Sequence, residues 1–279
     1  MQKLFNFLFE CEFYLKVALC CTILQQILSF ILHKIELNFT SQVLTYWIFS
    51  SISFYSISFL IERVIKENHQ LTEKLTVRTK KVKKQQFPRF TAKGIALGEL
   101  KGLIAAFIIL YIAPETTRNS SFLMNFGWFL LRIFFADFCF YVAHWLLHRK
   151  LLQTIHLKHH EFRDTSSWVA GYKSLLEYAI VTSTDLLPIF IFGYDINQLL
   201  AWTLVGNAYN IEGHSSLSIF FIASDFHDLH HTGFHKNYGI QGFWDRVFNT
   251  LNPPHKKIGF VFPVASIEKA ILKPSHTNS

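Results

Sequence analysis

The chain has 279 residues, of which 51% are hydrophobic and 16% are charged, and its mean hydropathy is +0.25. Soluble globular domains contain about 25% charged residues, so this composition argues against a soluble enzyme and predicts an integral membrane protein. The formal net charge of +8 is concentrated in one loop. Because the sequence contains no nucleic-acid motif, these basic residues indicate a membrane surface and no nucleic-acid partner. The four cysteines indicate no disulfide framework.

Four apolar stretches are long enough to cross a membrane. A helix rises about 1.5 Å per residue and therefore needs about 20 residues to cross a hydrocarbon core of about 30 Å. The predicted spans are residues 13–32, 43–61, 94–113 and 121–143. A further apolar hairpin comprises residues 175–193 and 197–222, and the sequence leaves open whether it spans the membrane or only enters it. The predicted fold is all-α, with about four transmembrane helices.

A basic loop separates the second span from the third. Residues 62–93 contain ten Lys or Arg and three Glu, so the positive-inside rule predicts that this loop faces the cytosol, or the matrix in a mitochondrial membrane. We divide the chain into an N-terminal membrane hairpin with its basic loop, residues 1–93, and a second domain, residues 94–279, whose histidine-rich helical cap is predicted to face the cytosol. Asp137 lies inside the fourth span, where a charge is costly in lipid, and is therefore a functional candidate.

Histidines are unusually dense after the fourth span. The segment from residue 137 to residue 160 reads DFCFYVAHWLLHRKLLQTIHLKHH and contains five of them. On an α-helix, Asp137, Tyr141, His144 and His148 share one face, and the spacing predicts that all five imidazoles reach one point. The later stretches GHSS and HDLHH add four more. The nine histidines are His144, His148, His156, His159, His160, His214, His227, His230 and His231.

These histidines predict a metal centre. Imidazole suits iron, zinc and copper, whereas magnesium and calcium prefer oxygen ligands. Nine histidines exceed the need of one tetrahedral zinc ion, so the pattern indicates two metal ions. If the hairpin 175–222 enters and leaves the membrane, the three histidine clusters meet at the basic face. A structural zinc cluster, or a zinc-binding or metal-transport protein, stays open as an alternative.

The histidine motifs, with DxxxY before them and NYG and WD after them, resemble the membrane di-iron enzymes of the sterol desaturase and fatty acid hydroxylase superfamily. The matching stretches, within roughly residues 95–250, are HWLLHRKLLQTIHLKHHEF, GHSS and FHDLHHTGFHKNYGIQGFWD. They look most like 4-methylsterol oxidases. The resemblance implies two iron ions held by the nine histidines, oxygen-dependent hydroxylation or desaturation of a lipid, and electrons from cytochrome b5 or a reductase. The chain has no HPGG haem-binding signature, so the electron donor is expected to be a separate protein.

One segment departs from the family pattern. Relatives usually read AxYAHPxE where this chain reads AGYKSLLE, so Ser174 replaces a histidine and Leu175 replaces a proline, while Glu177 is kept. His235 is a candidate substitute for the missing histidine. Five further residues are candidates to support the metal centre: the three carboxylates either orient imidazole rings or are ordinary surface or capping residues, Tyr141 has a chemical role or packs the core, and Asn237 binds a metal through a water or caps a turn. They are Asp137, Tyr141, Glu177, Asn237 and Asp245.

We therefore predict a membrane di-iron oxygenase that acts on a sterol of the 4-methylsterol type or on a fatty acyl lipid. Oxygen insertion into an unactivated C–H bond requires a metal that changes oxidation state, so zinc in a purified sample would be an inert substitute for iron. The change at Ser174 motivates an alternative, a catalytically weakened relative that serves as a structural subunit of a membrane complex. The resemblance implies the endoplasmic reticulum membrane, and the mitochondrial inner membrane is the alternative location.

Overall fold

The computed structural model describes residues 2–33, 35–67, 89–116, 121–163, 165–215, 217, 219–221 and 224–252. Within these ranges the chain is helical, and its β-type pairing is limited to a bridge between Glu115 and Tyr194. The long helices are α1 (Gln2–Leu32), α2 (Phe39–Glu67), α3 (Ala92–Ile112) and α4 (Phe122–Leu147). The later helices are α5 (Gln153–His156), α6 (Leu175–Phe192), α7 (Ile196–His214), α8 (Ser224–Gly233) and α9 (Phe243–Val247), with 3₁₀ turns at His159–Glu161 and Ser167–Gly171.

Four helices are long and apolar enough to cross a membrane, which confirms the predicted all-α membrane fold. The candidate spans are Glu10–Leu32, Phe39–Glu67, Ala92–Ile112 and Phe122–Leu147. Large apolar side chains project outward from them, and Phe30 and Leu123 are 78% and 77% exposed. Such a surface suits contact with lipid. The cytosolic orientation of the cap stays a prediction, and residues 68–88 of the basic loop lie outside the described residues.

Polar side chains define where several helices begin. Thr91 accepts a hydrogen bond from the backbone N–H of Gly94 at 3.0 Å, and Ser121 accepts one from Met124 at 3.4 Å. Asp195 caps α7 by accepting from two backbone N–H groups of its first turn. These caps satisfy N–H groups that have no partner within the helix itself, so α3, α4 and α7 begin where a polar segment passes into an apolar stretch.

The core lies where α1, α4 and α7 meet. Helix α1 packs against α4 and α7, α2 packs against α3 and α7, and α4 packs against α6. Phe13 of α1, Ile133 of α4 and Leu199 of α7 are almost completely buried in this core. The first helix, which lies outside the histidine motifs, is therefore part of the scaffold that carries them.

The second apolar hairpin consists of α6 and α7, and α7 ends earlier than the predicted apolar stretch, at His214 instead of residue 222. One acidic side chain explains this ending. The Glu212 carboxylate accepts hydrogen bonds from the backbone N–H groups of Ile219, Phe220 and Phe221 at 2.5, 2.7 and 2.8 Å. Because the carboxylate gathers these groups, the chain folds back at His214 and does not continue the helix.

Candidate metal centre

All nine predicted histidines come together in the structure, in two adjacent groups. The nitrogen atoms that each group offers to a metal lie within 4.8 Å of one another. The first group contains His144, His148, His156, His160 and His230. The second group contains His159, His214, His227 and His231. His235, the candidate substitute, is exposed and belongs to neither group.

Four segments supply the rings. Helix α4 carries His144 in its last turn and is capped by His148. Helix α5 and the 3₁₀ turn after it carry the triplet 156–160, α7 ends with His214, and α8 carries the triplet 227–231. Each of the two groups therefore draws its rings from several elements, and α8 contributes to both.

The spacing predicts that the five histidines of residues 144–160 reach one point. This prediction is wrong, because they divide between the two groups. His159 belongs to the second group and the other four belong to the first. The triplet on α8 divides in the same way, because His227 and His231 join one group and His230 joins the other. Viewed along a helix, the residue three positions after a given residue projects about 60° to one side of it, and the residue four positions after projects about 40° to the other side. A triplet of this spacing therefore divides its rings between the two groups.

Backbone carbonyls orient five of the rings. The Nδ1 atoms of His144 and His214 lie 2.7 Å from the carbonyl oxygens of Tyr238 and Asn210. His159, His230 and His231 make the same contact at 3.2, 2.8 and 3.1 Å, with the carbonyls of Tyr172, Lys236 and Phe162. A carbonyl only accepts, so Nδ1 of each ring must carry the hydrogen. The lone pair of Nε2 is then free to bind a metal.

The Nε2 atoms face one another at short range. In the first group His144–His156, His156–His160, His160–His230 and His148–His230 are separated by 3.1, 3.0, 3.1 and 3.1 Å. In the second group His159–His214, His214–His227 and His227–His231 are separated by 3.3, 3.0 and 3.1 Å. Two nitrogens bound to one ion at about 2.1 Å lie about 3.0 Å apart when their bonds form a right angle, and about 3.4 Å apart in a tetrahedron. These separations are compatible with one metal ion in each group.

Burial keeps the imidazoles neutral. Loss of solvent lowers the pKa of His148 and of His214 to about 3, that of His156 to about 2 and that of His230 to about 4. The same cause lowers the pKa of His159, His160, His227 and His231. Metal binding requires the neutral imidazole, so at neutral pH these rings are already in the form that binds.

Glu177 is the one predicted orienting residue that contacts a histidine directly. Its Oε1 atom lies 2.8 Å from Nδ1 of His156, and both side chains are buried. Burial raises the pKa of Glu177. The contact turns Nε2 of His156 toward the other rings of its group. Carboxylate–histidine contacts of this kind fix the ring orientation at metal sites.

Ser174, which replaces the family histidine, has a local structural role. It is the N-cap of α6, and its hydroxyl accepts a hydrogen bond from the backbone N–H of Glu177 at 3.1 Å. This cap fixes the first turn of α6, which carries Glu177 to His156. Ser174 is a member of neither histidine group.

Asp137 and Asp245 support the site through the turn at residues 238–240. Asp245 accepts hydrogen bonds from the backbone N–H groups of Tyr238 and Gly239 at 2.7 and 2.8 Å. Asp137 accepts from the N–H of Ile240 at 2.8 Å. Because the carbonyl of Tyr238 orients His144, the two carboxylates act on that ring through the backbone and do not touch it.

Asn237 and Tyr141 are also structural. The side-chain amide of Asn237 donates to the carbonyls of Phe226 and Asn252, both at 2.9 Å, and its backbone φ is 61°. It therefore holds a turn, as one of its two interpretations predicted. Tyr141 stacks on Phe248 with ring centroids 5.1 Å apart, and its hydroxyl is 3.1 Å from Oγ1 of Thr250. Tyr141 packs the core beside the site.

Sequence reasoning missed one supporting residue, Tyr14. Its hydroxyl donates to Asp137 at 2.5 Å from helix α1, which lies far from the histidine motifs in the sequence. Nothing in the local sequence of α1 indicates this contact. The carbonyls that orient the rings were missed as well, because backbone acceptors leave no mark on the sequence.

A cavity of about 350 Å³ reaches both histidine groups. Its walls come from α2, α3, α4, α6 and α7, and His144, His156, His159, His214 and His227 lie at its lining. Lys173 also lines it and donates to the carbonyl of Ala170. The cavity therefore joins the histidines to the interior of the bundle of membrane-length helices.

Known proteins match the region of the chain that contains the nine histidines. The fatty acid hydroxylase family model matches residues 129–250. Fatty acid hydroxylase domain-containing protein 2 of Homo sapiens is 28% identical over 138 residues, which cover 46% of this chain and 40% of that protein. Methylsterol monooxygenase 1 is 33% identical over 121 residues in Gallus gallus and 31% identical over 115 residues in Danio rerio, covering 39% and 38% of this chain and 41% and 40% of those proteins. The chain thus spans about 40% of the length of these relatives. No solved structure matches it.

Proposed function

We propose that this chain, whose residues 129–250 form a fatty acid hydroxylase domain of the sterol desaturase and fatty acid hydroxylase superfamily, is a membrane oxygenase that hydroxylates or desaturates a lipid C–H bond. One observation carries the proposal. Two groups of buried, neutral imidazoles, with Nε2 atoms 3.0–3.3 Å apart, lie at the end of a cavity among membrane-length helices.

The nine histidines would hold two metal ions, five of them one ion and four the other. Iron bound there would supply the change of oxidation state that oxygen insertion into an unactivated C–H bond requires. Zinc does not change oxidation state, so zinc in a purified sample would be a substitute. The role of the protein is to keep the rings neutral, to aim their Nε2 atoms through carbonyls and Glu177, and to exclude bulk water from the buried groups.

The cavity supports a lipid as the substrate. Helices α2, α3 and α4, which are long enough to span a membrane, form much of its wall, so the cavity lies among the helices that lipid would surround. The names of the relatives suggest a sterol or a fatty acyl lipid. Electrons would come from a separate donor, cytochrome b5 or a reductase. The proposed location is the endoplasmic reticulum membrane, with the mitochondrial inner membrane as the alternative.

The test uses the full chain purified in nanodiscs. We expect two iron ions per chain by elemental analysis, and oxygen uptake that depends on NADPH, a cytochrome b5 reductase system and a lipid extract. His148→Ala and His231→Ala, one in each group, should lower the iron content and abolish oxygen uptake. His235→Ala is the matched control, because His235 is exposed and outside both groups. A protein with only zinc, and no oxygen uptake after reconstitution with iron, would contradict the proposal.

A second candidate is a structural subunit of a membrane protein complex. The observation that favours it is Ser174, which stands where relatives carry a histidine and which serves here as a helix cap. In that case the chain should co-purify in a stoichiometric complex and should consume no oxygen with any lipid fraction. An isolated chain that oxidises a lipid would exclude this candidate.

A further inference from the structure

The cavity extends well away from the histidines along α6. Its lining on this helix lies on one face, from Glu177 through Val181 to Asp185. Glu177 contacts His156 and therefore marks the histidine end. At about 1.5 Å per residue, Asp185 lies about 12 Å farther along the helix axis.

The residues of α7 that line the cavity give a similar length for it, counted back from the last residue of that helix. His214, at the end of α7, is 3.3 Å from His159, and the lining of the cavity continues back along α7 to Thr203. The rise of the helix places Thr203 about 16 Å from His214 along the axis. Both helices therefore indicate an elongated cavity, which we call the shaft. Histidines lie at one end of the shaft, and Asp185 and Thr203 lie at the other end, which we call the floor.

The floor is polar, and its carboxylate, Asp185, lines the cavity. The Tyr209 hydroxyl donates to Oδ1 of Asp185 at 3.1 Å. Asp185 remains partly exposed, toward the cavity that it lines. The nearest helix position is Gly206, where an added Cβ would lie 3.9 Å from Oδ2 of Asp185 and no closer than 3.8 Å to any side chain. Because position 206 has no side chain, none from there covers the carboxylate.

A carboxylate in such a place indicates a ligand. Ionisable side chains among membrane-length helices are costly and most often serve a function. A carboxylate has room for about four hydrogen bonds, and a polar group on a molecule within the shaft would add a donor beside the Tyr209 hydroxyl and the Trp202 indole. The lining is mixed, and its apolar side chains, among them Val181 and Ile109, suit the hydrocarbon part of the same molecule.

We propose that Asp185, together with Tyr209, binds a hydroxyl group of the lipid substrate, and that the substrate class is lipids whose hydroxyl lies about 12 Å from the carbon presented to the histidines. This proposal rests on the proposed function of the histidine end. It adds the identity of the group at the far end of the substrate.

The proposal distinguishes between substrates. A 4-methylsterol that presents its 4-methyl group to the histidines keeps its 3-hydroxyl beside that carbon, so its apolar side chain would cover Asp185. A long-chain alcohol or a hydroxylated acyl lipid places a donor on the floor. A sterol satisfies the floor only when its 3-hydroxyl lies there, which presents the opposite end of the molecule to the histidines.

The experiment measures binding of decanol, whose extended chain matches the shaft, and of decyl methyl ether, which lacks the donor hydrogen. Shifts in the unfolding temperature of the purified, metal-loaded full chain give the half-saturating concentration of each compound. We expect decanol to bind about tenfold more tightly than the ether, the effect of a hydrogen bond to a charged group. In Asp185→Leu this preference should disappear, and in Asp185→Asn, which keeps an acceptor oxygen, it should shrink.

Ser183→Ala is the control, because Ser183 is on the exposed face of α6 and bonds only within the helix, to the carbonyl of Ala179. It should keep the preference for decanol. Equal binding of the alcohol and the ether to the unmodified protein, or an unchanged preference in Asp185→Leu, would overturn the proposal. The comparison of alcohol with ether uses the unmodified protein, so it does not depend on whether the variants fold. Because the readout is binding, a protein that prefers decanol and consumes no oxygen would contradict the proposed function and leave the floor site standing.

Discussion

The Nε2 atoms of His159 and His214 lie 3.3 Å apart, although Nδ1 of each ring already donates its hydrogen to a backbone carbonyl. Two lone pairs therefore point at each other in a buried space. Such an arrangement is repulsive by itself and becomes favourable when a cation lies between the rings. The arrangement therefore favours a cation between the rings, and we expect the stability of the chain to depend on one.

Metal removal should destabilise the protein. An ion that binds the folded chain at a concentration 100 times its dissociation constant stabilises it by about 2.7 kcal/mol. We expect protein treated with a chelator to unfold at a clearly lower temperature, and ferrous iron to restore the original value. The measurement is thermal unfolding in nanodiscs. Identical unfolding temperatures for chelated and iron-loaded protein would show that the histidine groups do not bind the ion.

Glu177 should control metal affinity through His156. Glu177→Leu removes the carboxylate that lies 2.8 Å from Nδ1 of the ring, and loss of such a contact weakens metal binding about tenfold to a hundredfold. Glu177→Gln keeps an acceptor oxygen and should lose less of the metal affinity. Metal titration measures both. The control is Glu67→Gln, which changes an exposed carboxylate paired with Arg63 and should leave affinity unchanged. Equal affinity in Glu177→Leu would contradict this role.

Gly239 should not tolerate a side chain. A Cβ at this position would lie 2.9 Å from Oδ2 of Asp245 and 3.3 Å from Oδ1 of Asp137, the two carboxylates that hold the turn. We expect Gly239→Ala to cost about 1–3 kcal/mol and to lower iron content, because the turn carries the carbonyl that orients His144. Gly233→Ala is the matched control, since an added Cβ there meets nothing within 4 Å. Thermal unfolding and iron content of the two variants test the difference, and equal behaviour would refute it.

Tyr14 should stabilise the same turn from helix α1. Tyr14→Phe removes the hydroxyl that donates to Asp137, and loss of one hydrogen bond costs about 1 kcal/mol. The expected result is a lower unfolding temperature for Tyr14→Phe. Tyr111→Phe serves as the control, because Tyr111 is 74% exposed and its hydroxyl should add little stability. If the two variants unfold alike, α1 does not support the turn.

The sequence was sufficient for the four membrane-length helices and for the set of histidines. Long uncharged stretches allow few alternatives to a membrane span, and a spacing of four residues puts His144 and His148 on one helix face. The division of the rings between two groups was not predictable. It depends on how α8 packs against α7 and on where α7 ends, and the ending is set by Glu212, whose three backbone partners lie in the segment that follows.

The supporting contacts show a second limit of sequence reasoning. Glu177 was predicted to orient a ring, and it does contact His156. Asp137 and Asp245 were assigned the same role, yet they bind backbone N–H groups of the turn at 238–240. Spacing identifies a carboxylate near a site, but it does not predict whether that carboxylate accepts a hydrogen bond from an imidazole ring or from a backbone amide. The hydroxyl of Tyr14 and the position of Asp185 depend on helix packing and have no local pattern.

The splitting of each HxxHH triplet between the two groups has a consequence for how the protein acquires its ions. A first ion that gathers His156, His160 and His230 also fixes the segments that carry His159, His227 and His231. The second ion then meets rings that are already ordered, so loading should be cooperative and half-loaded chains should be scarce. For the same reason, disruption of either triplet should empty both positions together.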